Sequence, residues 1–303
     1  MALAGAFFLL ARERPYDPSF VTRVEEPTYT TDHPLVLYDE GHLNTHTTDA
    51  GYKPFADLIR SDGYALRVAR ELITSQALAG ASVLVIVGAR GTNDANDAPA
   101  FSDPEVSAIE SWVRAGGSLL LITDHWPYGS AVESLSQRFG VRMGKGLVED
   151  PEHSDPSLGD SHIVFSRETG LLHEHPIVRG RHSSERIQRV LTFTGQSLAG
   201  PPAAVAFMAL SNSALERTPT VPQVEKDGGD IRVRMEYGAP VSAAGRAQGI
   251  ALEVDGGRIV ILGDAGMLRA QRESNGTLVG MNHPGFENRQ LALSIMHWLS
   301  RAL

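Results

Sequence analysis

Two uncharged runs rich in branched side chains, SVLVIV at 82–87 and SLLLIT at 118–123, constrain this chain more than any other feature. A strand that is apolar on both faces must be covered on both faces. That happens in parallel sheets sandwiched between helices. Between the two runs, Ser102 followed by Glu105 reads as a capping box, and Ile109, Trp112 and Val113 continue a helix up to Gly116-Gly117. Strand, helix, strand at this spacing is a right-handed βαβ unit.

The alternation extends in both directions. Upstream, Leu35-Val36-Leu37-Tyr38 reads as a strand, Tyr52 to Arg60 as a helix, Tyr64 to Val68 as a strand and Arg70 to Leu78 as a short helix. Downstream, Ser130 to Phe139 reads as a helix. Gly249 to Val254 and Arg258 to Leu262 read as a hairpin over Asp255-Gly256-Gly257, and Glu287 to Leu303 as an amphipathic helix. From Gly140 to about Arg246 the pattern lapses into a loop-rich stretch with His153, His162, His173, His175 and His182 and β-like runs at 189–194 and 203–210. The expected fold is α/β with a mostly parallel sheet: one domain over 34–303, elaborated at 140–246. Residues 1–33 read as an N-terminal arm or the remnant of an anchor segment. The apolar start MALAGAFFLL lacks a positive leader and can equally be an element packed on the domain.

Composition excludes several classes. With 27 Lys and Arg against 36 Asp and Glu, the net charge of −9 offers no basic field for a phosphate backbone, so no nucleic-acid partner is expected. The absence of cysteine removes disulfides, thiolate metal sites and a Cys nucleophile. The partner to expect is a small-molecule or carbohydrate substrate, with self-association into a homo-oligomer left open.

Three strands end in acid: Asp39 after LVLY, Asp124 after LLIT and Asp264 after IVILG. Ligands bind outside the carboxyl ends of parallel strands, so these residues should converge on one crevice. Asp39, Glu40, His42, Asp124 and His125 are the catalytic candidates. His283, as base or ligand, and Glu287, as its orienter, are candidates from the loop before the last helix. His42, His46, Asp124 and His125 supply nitrogen and oxygen ligands suited to a divalent metal such as zinc, although the spacing matches no established metal motif. Asn44, Trp126, Tyr128, Gly129, Ser130 and Asp264 are candidates for binding. The amides at Gly129 and Ser130 would sit at a helix start where an anion can be held. Each has a plainer alternative: Asp264 as a turn or cap residue, Ser130 as an N-cap rather than a nucleophile, Glu287 as a favourable charge at a helix start. Asn93-Asp94-Ala95-Asn96-Asp97 has the composition of a calcium loop but not the spacing, and reads as a solvated loop.

The segments DEGHLNTHT, GYKPFADLIRSDGY, IVILGDAGML and NRQLALSIMHWL together resemble the class I glutamine-amidotransferase-like superfamily. The branch resembled includes auxiliary domains of gliding-motility ABC transporters and the N-terminal domain of an intraflagellar transport protein. The resemblance covers about residues 34–140 and 245–303 and implies a flavodoxin-like three-layer α/β sandwich. In that superfamily a Cys nucleophile sits at a strand–helix elbow with a His–Glu pair. Here the elbow is Asp124 to Ser130 without Cys, which rules out Cys-dependent glutamine hydrolysis, and Gly266 stands where a second acid is expected in the branch. Two functions follow. The first is a hydrolase in which a metal-bound or His-activated water attacks an ester, lactone, amide or glycosidic bond, with 145–185 as a lid. The second is a non-catalytic domain that binds carbohydrate or a partner at a cell envelope or periplasm.

Overall fold

The computed structural model describes residues 16–91, 98–227 and 230–303 together with the strand Ala6–Leu9. The Asn93–Asp97 loop therefore lies outside the described residues. Five parallel strands form the centre. In chain order they and their neighbours are β1 (Leu35–Asp39), α1 (Lys53–Ser61), β2 (Ala65–Ala69), β3 (Val83–Val87), α2 (Asp103–Arg114), β4 (Ser118–Ile122), α3 (Tyr128–Gln137), β5 (Ala247–Val254), β6 (Gly257–Leu262) and α4 (Asn288–Leu299). The sheet order is β2-β1-β3-β4-β6-β5, parallel from β2 to β6 and antiparallel across the β5–β6 hairpin. Short antiparallel strands at 198–199, 142–143 and 205–209 extend the sheet beyond β5 to a total of nine.

Burial follows the alternation of a strand. Val36, Tyr38, Val85, Leu120, Ile122 and Val260 face a core closed by α1 and α4. Leu37, Leu84, Ile86, Leu119, Leu121 and Ile259 face a second core closed by α2 and α3. Every residue of β3 and β4 is buried, which is why their sequences carry no polar face. Among the described residues no helix is long and apolar enough to cross a membrane.

The stretch 140–246 is loop-rich, as its sequence suggests, and threads short strands through those loops. Two- and three-residue strands show no period in sequence, so their pairing comes from tertiary contacts. Its Pro219–Asp227 and Asp230–Tyr237 strands form a hairpin to which Ala6–Leu9 adds as a third strand, the packed alternative for the apolar start. Residues 16–34 run over the surface without regular structure. The helix expected over 70–78 is reduced to Ser75–Leu78, capped by Thr74.

Candidate functional site

The strand register decides which acids meet. Ile122 pairs with Leu262 across β4 and β6, so Asp124 and Asp264, each two residues further on, leave neighbouring strands at the same level. Parallel strands lie about 4.8 Å apart, which puts the two carboxyls side by side. Asp264 is fully buried and accepts from the backbone amides of Phe193, Gly266 and Met267. Asp124 keeps 14% of its side chain exposed; it accepts from the His125 amide at 2.8 Å and the Ala265 amide at 3.2 Å. Burial raises both carboxyls. It lifts Asp124 to about 7, while burial and then the charge of Asp124 hold Asp264 well above the carboxylate range. The pair titrates as one unit.

His125 is shifted the opposite way: burial lowers its pKa, leaving it neutral around pH 7. Its Nδ1 lies 2.9 Å from the Trp126 carbonyl oxygen, a partner that only an N–H can face. Nε2 therefore carries the lone pair, 3.7 Å from Asp124 Oδ1. Around this pair stand Tyr128, bonded to Thr45, and Tyr52, whose hydroxyl donates to the Ala265 carbonyl at 2.7 Å. The charge of Arg269 acts on Asp124, Tyr52 and Tyr128. Tyr237, at the end of the hairpin, has its hydroxyl pushed up to about 12 by burial and then by Asp124 and Glu149.

The elbow after β4 is braced by Gln196. Its Nε2 donates to the Asp124 carbonyl at 2.7 Å and to Thr123 Oγ1 at 3.2 Å, and its Oε1 accepts from the Lys145 amide at 2.7 Å. A Cβ on Gly129 would lie 2.4 Å from that side-chain amide, so only glycine leaves room for the brace. Ser130 lies inside α3, whose N-cap is Pro127, so it is not the cap. Its Oγ is buried with no hydrogen-bond partner. Trp126 is only 8% exposed and presents no stacking surface.

Asp39 and His42 form a separate, closed group. His42 Nδ1 meets Asp39 Oδ1 at 2.8 Å and Nε2 meets Glu105 Oε1 at 2.9 Å, so both ring nitrogens are occupied. Asn44 donates to Asp39 Oδ2 and to the Val87 carbonyl, both at 3.1 Å. Glu105 also accepts from the Ile73 amide and completes the capping box with Ser102. Burial by itself would lower the His42 pKa. The hydrogen bonds and charges of Asp39 and Glu105 outweigh it, so the net direction is up. Glu40 is spent on Thr48 and Arg70. His46 packs on Tyr52 with ring centroids 5.1 Å apart.

The set His42, His46, Asp124 and His125 does not fit one metal ion. Both His42 nitrogens face carboxylates, and among the described residues no group of three or more His, Asp or Glu is placed to hold a metal. At the far rim, Glu287 accepts from the amides of Arg189 and Gln188, while half-buried His283 packs on Phe193 and Phe286. Glu287 does not orient His283.

Glu105, Gln196, Tyr52, Arg269 and Tyr237 escape a sequence reading as site residues. Glu105 stands 63 residues from its His42 partner, and only its capping-box spacing is visible. The others join the site by long-range crossings that carry no local signal.

No known family model matches the chain, and no curated protein does. Among solved structures, the N-terminal domain of mmIFT52 superposes with a TM-score of 0.59 at 15% identity, covering 88% of this chain and 97% of that domain. A GMP synthase-like protein from Thermoplasma acidophilum gives 0.45 at 12% identity over 90% of this chain and 96% of that one. A ThuA-like protein from Bacteroides uniformis gives 0.40 at 13% identity over 93% and 95%. At these identities the mmIFT52 match speaks for a shared α/β fold and leaves activity to be argued from the site itself.

Proposed function

We propose that the protein is a metal-independent hydrolase of a small polar or carbohydrate-like substrate, with Asp124 as general acid and His125 as general base. The observation that carries this reading is a carboxyl and an imidazole 3.7 Å apart at the carboxyl end of a parallel sheet, which burial shifts in opposite directions. His125 Nε2 takes a proton from water as its oxygen attacks the electrophilic carbon. The Asp124 carboxyl gives its proton to the departing oxygen. The 3.7 Å between Nε2 and Oδ1 then allows the imidazolium proton to return to Asp124, which restores both groups. Asp264 takes no part in proton transfer to substrate; burial raises Asp124, and burial and then the charge of Asp124 raise Asp264. The β2-β1-β3-β4-β6 order supports reading the sheet as flavodoxin-like, in keeping with the amidotransferase-like resemblance but with an Asp–His pair at the elbow.

The test is hydrolysis of a panel of p-nitrophenyl esters and glycosides by wild type, Asp124→Asn and His125→Gln. Turnover should fall by roughly 10²–10³-fold in each variant with the fold intact. The rate should be bell-shaped in pH: lost on the acid side as His125 takes a proton, and above about 7 as Asp124 loses one. No turnover by wild type, with saturable binding of a neutral sugar at the same crevice, would favour the binding-domain reading instead.

A further inference from the structure

The stretch 140–246 contains a groove of about 560 Å³ whose lining includes neither Asp124 nor His125. That volume suits a small organic ligand. Its chemistry is two-sided. Leu171, Leu210, Ala206 and Ala209 give it an apolar wall, and Arg246, His153, His173 and Ser213, with one acid, Glu152, give it a polar one.

The polar wall is fixed from behind by Asp150, which is fully buried. Ser211 Oγ donates to Asp150 Oδ2 at 2.6 Å, Ser213 Oγ donates to Oδ1 at 2.8 Å, and His153 Nδ1 lies 3.2 Å from Oδ2. Three donors occupy both oxygens of this fully buried carboxylate, so it holds side chains in place rather than facing a ligand. They also fix the His153 tautomer: Nδ1 is spent on Asp150 and Nε2 is turned away from it.

Arg246 is the group left over. Its Nη2 reaches only the Ser197 carbonyl oxygen, at the long distance of 3.5 Å, and its Nε is buried with no acceptor. Among the described residues no carboxylate pairs with it. A half-buried guanidinium lacking an anion is costly, and the planar fork matches a carboxylate. We infer that this groove is a second binding site, for a small organic carboxylate whose acid group pairs with Arg246 and whose body lies along Leu171 and Leu210. The apolar wall argues for an organic acid over a bare inorganic anion. This site does not depend on the hydrolase reading, because its test reads binding alone.

The experiment is calorimetric titration of the full chain with hexanoate and glucuronate, with hexanol and glucose as their uncharged counterparts, and with inorganic phosphate. At least one acid should bind, and at least tenfold more tightly than its uncharged counterpart. Arg246→Gln should erase that preference, and Arg246→Lys should retain part of it. Equal affinity for acid and uncharged counterpart, unchanged binding in Arg246→Gln, phosphate binding without either acid, or no binding at all would each overturn the inference. If Arg246→Gln fails to fold, the acid preference of the wild type still decides.

Discussion

Asp39 and Asp124 both terminate parallel strands, yet the surroundings give them opposite work. Asp39 is locked by His42 and Asn44 inside a closed network, whereas Asp124 stays partly open beside a second carboxyl. That strand ends carry acids is legible in the sequence. Which acid stays reactive is not, because the answer depends on Glu105 arriving at His42 and on Phe193 arriving at Asp264. His42→Ala should destabilise the fold by about 3–5 kcal/mol, since it leaves two buried carboxylates without their bridging cation. His42 has a raised pKa when folded, so its contribution is complete below 6.5 and fades as pH rises through the folded value. The stability gap between wild type and His42→Gln in denaturant titrations should therefore narrow at alkaline pH. Asp124 runs the other way. The native state keeps a proton that the unfolded chain releases near 3.8, so wild-type stability should fall from about pH 4 to about 7. Asp124→Asn should shrink that fall to the part that buried Asp264 contributes and, at pH 8, gain roughly 1–2 kcal/mol over wild type after one lost hydrogen bond is subtracted.

Elements declared themselves where their pattern is local. The capping box at Ser102 and Glu105 starts α2 as its spacing predicts, and the β5–β6 hairpin turns at Asp255-Gly256. The start of α3 did not. Pro127 rather than Ser130 is its N-cap, so the helix begins two residues before Ser130 and the hydroxyl falls inside its first turn. The short strands of 140–246 are equally hidden, because two or three residues cannot display a period. Gly129 is the most sensitive position of α3, since its missing side chain admits Gln196. Gly129→Ala should cost about 1–3 kcal/mol by overpacking, despite the better helix propensity of Ala. It should also lower turnover at least tenfold by loosening the Asp124 elbow, as thermal denaturation and the p-nitrophenyl assay would register together.

At the scale of the whole molecule, the elaboration is wired into the sheet ends. Phe193 donates to Asp264, the Gln196 amide donates to the Gly263 carbonyl at 2.9 Å, and Gly195 packs directly against Asp264. The 145–185 stretch contributes His153 to a groove of its own, with Asp150 behind it. At the opposite end, buried Asp62 joins three distant parts of the chain: it accepts from the Thr28 amide at 2.9 Å and meets His297 Nε2 at 2.7 Å. His297→Ala should cost about 3 kcal/mol or more and unprotect the arm around Thr28 in hydrogen exchange, because a buried carboxylate loses its partner.

The proposed chemistry requires a carboxyl at the end of β4 that titrates near neutrality. Carbon-13 NMR of the aspartate side chains as a function of pH, with Asp124→Asn to assign the resonance, measures that directly. An apparent pKa near 7 for Asp124 is the predicted result. Titration of Asp124 near 3.8, with no aspartate signal moving between pH 6 and 8, would contradict it and with it the acid–base roles assigned to Asp124 and His125.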